Sequence, residues 1–126
     1  GDSRIYSLSK EKEFKQLSED QTYVGYLYRT GQITNEEMKT HPKRHMLMNA
    51  LGIFPVASAE IAIKPYRNED ILLCSDGLYN NVNDPDICSI IKGNDSTEEK
   101  ITELIGLANS NGGSDNIAVV LWEANK

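Results

Sequence analysis

Three aspartates occupy one kind of position in this chain. Asp2 immediately precedes an expected strand, Asp76 immediately follows one, and Asp115 immediately precedes another. If the strand before Asp76 runs antiparallel to the other two, all three carboxylates emerge at the same edge of a sheet. Carboxylates gathered without Lys or Arg beside them repel one another, and a bound cation relieves that repulsion. Oxygen-only ligation selects hard ions such as Mg2+ or Mn2+. Two such ions a few ångströms apart can activate a bridging water for attack on a phosphoryl group. The same residues have a plainer reading, because Asp before a strand, or Asp-Gly after one, is ordinary turn chemistry. Position alone leaves both readings open.

Other reactive side chains offer less. His41 precedes a proline and His45 follows Lys43-Arg44, and neither pairs with Cys or Glu at a metal-site spacing, so both read as surface or structural residues. Cys74 has no adjacent basic partner to make it a nucleophile. Ser75 lacks the G-x-S-x-G context of a nucleophile elbow, and neither a P-loop nor a dinucleotide fingerprint occurs.

The elements that must position the aspartates follow from periodicity. Arg4 to Ser9 alternates apolar and polar residues, and a charged turn from Lys10 to Glu13 leads to a short strand at Phe14 to Leu17, which predicts a hairpin. From Thr22 the spacing of Val24, Leu27 and Tyr28 is helical, and Gly31 supplies a stop. Thr34 and Glu37 form a capping box for a second helix, which His41-Pro42 ends. Tyr23 to Arg44 is polar and reads as a small helical excursion on a main body. Ala59 to Tyr66 alternates as a strand does, whereas Ile71 to Ser75 is a continuous apolar run, the pattern of a strand buried on both faces. Asp84-Pro85 reads as an N-cap and first-turn proline ahead of Ile87, Ile90 and Ile91. Ser96 and Glu99 make a second capping box, before an amphipathic helix with Ile101, Leu104, Ile105 and Ala108 on one face. That helix stops at Gly112-Gly113, and Ile117 to Trp122 reads as a final buried strand. The order β-β-α-α-β-β-α-α-β predicts an α/β (α+β) domain with mostly antiparallel strands and helices packed on a sheet.

Composition narrows the class. The 126 residues suit one domain or part of a larger one, and a hydrophobic fraction of 39% is enough for a core. A net charge of −6 argues against a nucleic-acid partner. No apolar run approaches the roughly 20 residues that span a bilayer, and the start does not resemble a signal peptide. Cys74 and Cys88 sit among aliphatic residues and read as reduced core thiols of a cytoplasmic protein. The Asn94-Asp95-Ser96 sequon reads as coincidence, and the initial Gly1 suggests that residues ahead of it have been removed.

Seven short motifs, in order, carry a resemblance. They are G-D-S-R at Gly1 to Arg4, L-S-E-D-Q-T at Leu17 to Thr22, G-Q-I-T-N-E-E at Gly31 to Glu37 and H-P-K-R-H-M-L at His41 to Leu47. N-A-L-G at Asn49 to Gly52, L-L-C-S-D-G-L at Leu72 to Leu78 and G-G-S-D-N-I-A-V-V at Gly112 to Val120 complete the series. With these the chain resembles the metal-dependent serine/threonine protein phosphatases of the 2C type (the PPM family), the small bacterial ones especially. The resemblance implies a four-layer α-β-β-α sandwich in the complete enzyme. It further implies a binuclear Mn2+ or Mg2+ centre, with two ions and in some members a third, that hydrolyses phosphoserine or phosphothreonine in protein substrates. By motif, Asp76 and Asp115 match metal ligands, and Asp2 matches the aspartate of the third, more loosely held metal. Asn116 then takes an orienting role beside Asp115. The segment from about 23 to 45, with Gly31, Thr34 and Glu37, matches a mobile flap that affects substrate access.

The departures are specific. No D-G-x-G-G motif occurs, so the bridging aspartate, a glycine carbonyl ligand and a phosphate-binding arginine are all missing. Gln21 stands where histidine usually follows Asp20, and His45 where asparagine usually follows Lys43-Arg44. The chain is therefore expected to be the C-terminal portion (1–126) of a single catalytic domain, inactive alone and paired with its N-terminal half or a second copy. The alternatives are a non-catalytic, phosphatase-like interaction module and a generic cation-binding domain.

Overall fold

The structure, a computed structural model, describes residues 1–124 and divides them into two compact units. Of the described residues, one comprises 3–18 and 65–124, the other 1–2 and 19–64.

The larger unit is a four-stranded antiparallel sheet backed by helices. Its strands are β1 (Arg4–Leu8), β2 (Phe14–Gln16), β3 (Asp70–Cys74) and β4 (Val119–Trp122), in the order β2-β1-β3-β4. The predicted β1–β2 hairpin forms, with Leu8 opposite Phe14. β3 runs antiparallel to both neighbours, and Cys74 at its end pairs with Arg4 of β1 and with Val119 of β4. The end of β3 therefore lies between the beginnings of β1 and β4.

Alternation divides the sheet into two faces. Tyr6, Leu8, Leu72, Cys74 and Leu121 point to the helices and are buried. There they meet α3 (Asp76–Tyr79), α4 (Asp84–Lys92) and α5 (Thr97–Ser110) through Leu78, Val82, Ile87, Ile91, Leu104 and Ala108. Each large side chain buried this way is worth roughly 1.5–3 kcal/mol. The other face carries Ile5, Leu73, Val120 and Trp122, exposed by 38%, 43%, 60% and 63%. The runs at 71–75 and 117–122 are thus apolar on both faces but buried on one. Their sequence records hydrophobicity, whereas burial needs a neighbour on each side.

Four further expectations are corrected. Ala59 to Tyr66 forms no strand, and Ile61 and Ile63 are almost fully exposed. Alternation makes a strand only where another strand completes the ladder, and none among the described residues does so here. The cap of α4 is Asn83, one residue earlier than expected, and its side chain accepts from Asp86 N. Asp84 is instead engaged by the buried Tyr6, whose hydroxyl donates to Asp84 Oδ1 at 3.1 Å. On α5 the buried positions are Lys100, Leu104 and Ala108, with Ile101 and Ile105 only partly covered. Lys100 can occupy that seam because its Nζ donates to Ile91 O (2.8 Å) and to Glu123 Oε2 (2.9 Å), which keeps the charge paired. Glu123 also accepts from Thr97 Oγ1. Ser96 caps α5 through Glu99 N at 3.1 Å, but its hydroxyl donates to the Glu99 carboxylate, so the box is not reciprocal.

The smaller unit holds α1 (Tyr23–Arg29) and α2 (Asn35–Thr40). Thr22 Oγ1 caps α1 through Gly25 N, and the helix stops before Gly31, whose φ of 77° suits a residue without a β-carbon. α2 has the full predicted box: Glu37 N donates to Thr34 Oγ1 (3.2 Å) and Thr34 N to Glu37 Oε1 (3.1 Å). Asn49 closes the following loop by hydrogen bonding Ser58 through both its amide nitrogen and its oxygen.

Candidate metal centre

Asp76 and Asp115 belong to the larger unit and lie on adjacent elements. Asp76 opens α3 directly after β3, and Asp115 lies in the loop between α5 and β4. Three sets of contacts hold these elements together. Ser75 occupies the N-cap position of α3 without capping it. Its hydroxyl instead accepts from Ala118 N (3.0 Å) and donates to Asn116 O (3.3 Å), while its main-chain N–H donates to Ala118 O (3.0 Å). Gly77 packs directly on the loop, and a β-carbon there would stand 2.1 Å from Asn116 O. Asn81 donates from Nδ2 to Gly77 O (2.9 Å) and to Ser114 Oγ (3.1 Å).

The Asp115 carboxylate is set by its own turn, with Asn116 N donating to Oδ1 at 2.7 Å. It is the backbone of Asn116 that makes this bond. An open groove of about 620 Å³ beside the loop is lined by Ile105, Asn109 and residues 113–117. Asp76 is half-buried and Asp115 exposed.

Behind α3 lies a partly buried polar network. Arg4 Nη1 donates to the Tyr6 hydroxyl at 3.0 Å, and the guanidinium stacks 3.5 Å above the Tyr79 ring. Tyr6 is fully buried and stacks on Phe14 at 5.0 Å. Burial raises its phenol well above the usual range, against the lowering effect of Arg4. The sequence motifs include G-D-S-R but give Arg4 no task, they present Ser75 only as a rejected nucleophile, and they give Asn81 no place. The available signal was weak, since these residues act across the chain and no local pattern encodes their partners.

Over this fold the chain is similar to phosphatases. Serine/threonine phosphatase stp of Listeria welshimeri is 41% identical over 126 residues, which are 99% of this chain and 50% of that protein. The crystal structure of serine/threonine phosphatase Stp1 from Staphylococcus aureus superposes with a TM-score of 0.91 at 32% identity, over 100% of this chain and 50% of that one. Over its whole length the chain is similar to one half of 2C-type (PPM) serine/threonine phosphatases. No protein-family model matches the chain. A further PPM structure, the catalytic domain of PstP in complex with two manganese ions, superposes with a TM-score of 0.78 at 35% identity, covering 96% of this chain and 49% of that one. The chain spans about half the length of the curated relatives it matches. Its four-stranded antiparallel sheet with helices is the fold of these PPM neighbours.

PPM phosphatases are metal-dependent, and the donors here suit that chemistry. Two carboxylates on interlocked elements offer oxygen ligands for a hard cation, and the space that a Gly77 β-carbon would fill stays closed. No group of three or more His, Cys, Asp or Glu that could hold a metal ion gathers among the described residues. Asp2 falls in the smaller unit, as do Gly31, Thr34 and Glu37.

Proposed function

We propose that this chain is the C-terminal half of the catalytic domain of a protein serine/threonine phosphatase, one that hydrolyses phosphoserine and phosphothreonine in protein substrates. The observation that carries this reading is the interlocking of the Asp76 and Asp115 elements at one end of β3. When bound, a pair of Mn2+ or Mg2+ ions supplies an acidified water and neutralises charge on the phosphoryl oxygens. Asp76 and Asp115 hold the cations, and the Asn116 backbone N–H orients the Asp115 carboxylate. Asp2 is assigned to a further, more loosely held ion, and residues 23–45 to a flap that controls access.

The remaining ligands come from a second sheet lying on the open face of Ile5, Leu73, Val120 and Trp122. Its source is the other half of the domain, with a second copy of this chain as the alternative. The chain alone is then inactive. Among the described residues no helix is long and apolar enough to cross a membrane. Both cysteines are free, as in the reducing cytoplasm where we place the protein.

Mn2+-dependent dephosphorylation of a phosphothreonine peptide, by the intact protein and by this chain alone, tests the reading. Activity in the intact protein only is the expected result. Inactivity in both would overturn it in favour of a non-catalytic interaction module.

A further inference from the structure

We propose that Asn81 is a positioning residue that fixes where Asp76 stands relative to Asp115, an inference that rests on the metal-site reading above. α3 has only four residues, and the stretch from Asn111 to Ala118 contains no regular element. Neither segment can hold its aspartate in place by itself, because a single helical turn and an irregular loop have little intrinsic stability. Their relative placement therefore depends on links between them.

Asn81 supplies such links from one side chain. Its Nδ2 reaches the carbonyl of Gly77, the residue after Asp76, and the hydroxyl of Ser114, the residue before Asp115. Ser114 Oγ also lies 3.4 Å from Asn81 Oδ1 as a donor, so both ends of the amide are engaged. The main-chain carbonyl of Asn81 accepts from Asn111 Nδ2 at 2.9 Å, which anchors the loop where it leaves α5. A cation site needs its ligands placed to within about 0.5 Å, so a tie one residue from each carboxylate acts on coordination directly.

The test is a titration of Mn2+ into the intact phosphatase, with free Mn2+ read by electron paramagnetic resonance. Asn81→Ala and Asn81→Asp are compared with Asp76→Ala and with the parent. Asn81→Asp keeps the side chain's shape but turns its donor into an acceptor facing Gly77 O. The expected result is Mn2+ affinity weakened about 10–100-fold in both Asn81 variants. Melting temperatures without metal should stay close to the parent's. Ser114→Ala combined with Asn81→Ala should be no worse than Asn81→Ala alone. Parent-like affinity in Asn81→Asp, with loss in Asp76→Ala, would overturn the positioning role while leaving the metal-site reading standing. Lower metal-free stability with unchanged affinity would reduce Asn81 to a structural residue and overturn it as well. A parent that binds no Mn2+ would defeat both readings together.

Discussion

The backbone of Gly77 packs against the carbonyl oxygen of Asn116 so closely that a β-carbon at Gly77 would stand 2.1 Å away. The obstacle is main chain on both sides, so neither partner can rotate out of the way. Gly77→Ala must push the α5–β4 loop off α3. A loss of about 1–3 kcal/mol is expected in urea denaturation of the intact protein, as for overpacked cores. An unchanged midpoint would mean that the two segments separate freely.

Asp76 is the sharper probe of chemistry. Asp76→Ala should reduce Mn2+-dependent turnover of a phosphothreonine peptide to background and leave the metal-free melting temperature unchanged. Mn2+ at about 100 times its Kd should stabilise the parent by about 2.7 kcal/mol, and the variant should lose most of that shift. Full activity in Asp76→Ala would sink the assignment.

Lys100 and Glu123 form a nearly solvent-free ion pair, with the lysine wholly buried. Lys100→Ala leaves the Glu123 carboxylate in a dry site and should cost about 3–5 kcal/mol. Replacing both, Lys100→Met with Glu123→Leu, should recover most of that loss. Chemical denaturation of the three variants distinguishes a buried-charge penalty from simple loss of packing.

Tyr6, itself buried, joins Arg4 to Asp84 at the edge of the core. Tyr6→Phe keeps the stacking on Phe14 and removes both hydrogen bonds, but Asp84 is exposed and Arg4 keeps its stack on Tyr79, so the cost is about 0.5–1.5 kcal/mol by thermal denaturation. The folded phenol ionises at a higher pH than the unfolded one, where the usual value is 10.0. Its stabilising contribution is complete below that value and is lost as pH rises above it toward the folded pKa. Stability measured upward from pH 10 should therefore fall more steeply in the parent than in Tyr6→Phe.

Local chemistry was legible in the sequence and partnership was not. The Thr34–Glu37 box, the stop at Gly31 and the β1–β2 hairpin involve near neighbours in the chain, and all three appear as expected. The antiparallel course of β3 that the aspartate pattern required is also present. The helix cap slipped from Asp84 to Asn83 because Tyr6, far away in sequence, engages Asp84. Lys100 entered the core because Glu123 and a helix-end carbonyl meet it there, which no periodicity announces. Ala59 to Tyr66 had a strand's alternation without a strand to pair with. At the site, motif order picked out Asp76 and Asp115, whereas the clasp formed by Ser75, Gly77 and Asn81 exists only in three dimensions.

β1 and β3 are hydrogen-bonded neighbours, yet residues 19–64, nearly all of the smaller compact unit, pass between them in sequence. The entropy of closing such an excursion grows only with the logarithm of its length, about 0.6 kcal/mol for each doubling. Insertions and deletions between Ser18 and Pro65 should therefore accumulate over evolutionary time without disturbing the sheet. Residues 75–82 and 111–118 have no such licence, since a one-residue change in either must be answered in the other. Length variation can then tune what the domain encounters while the spacing of its carboxylates is inherited unchanged.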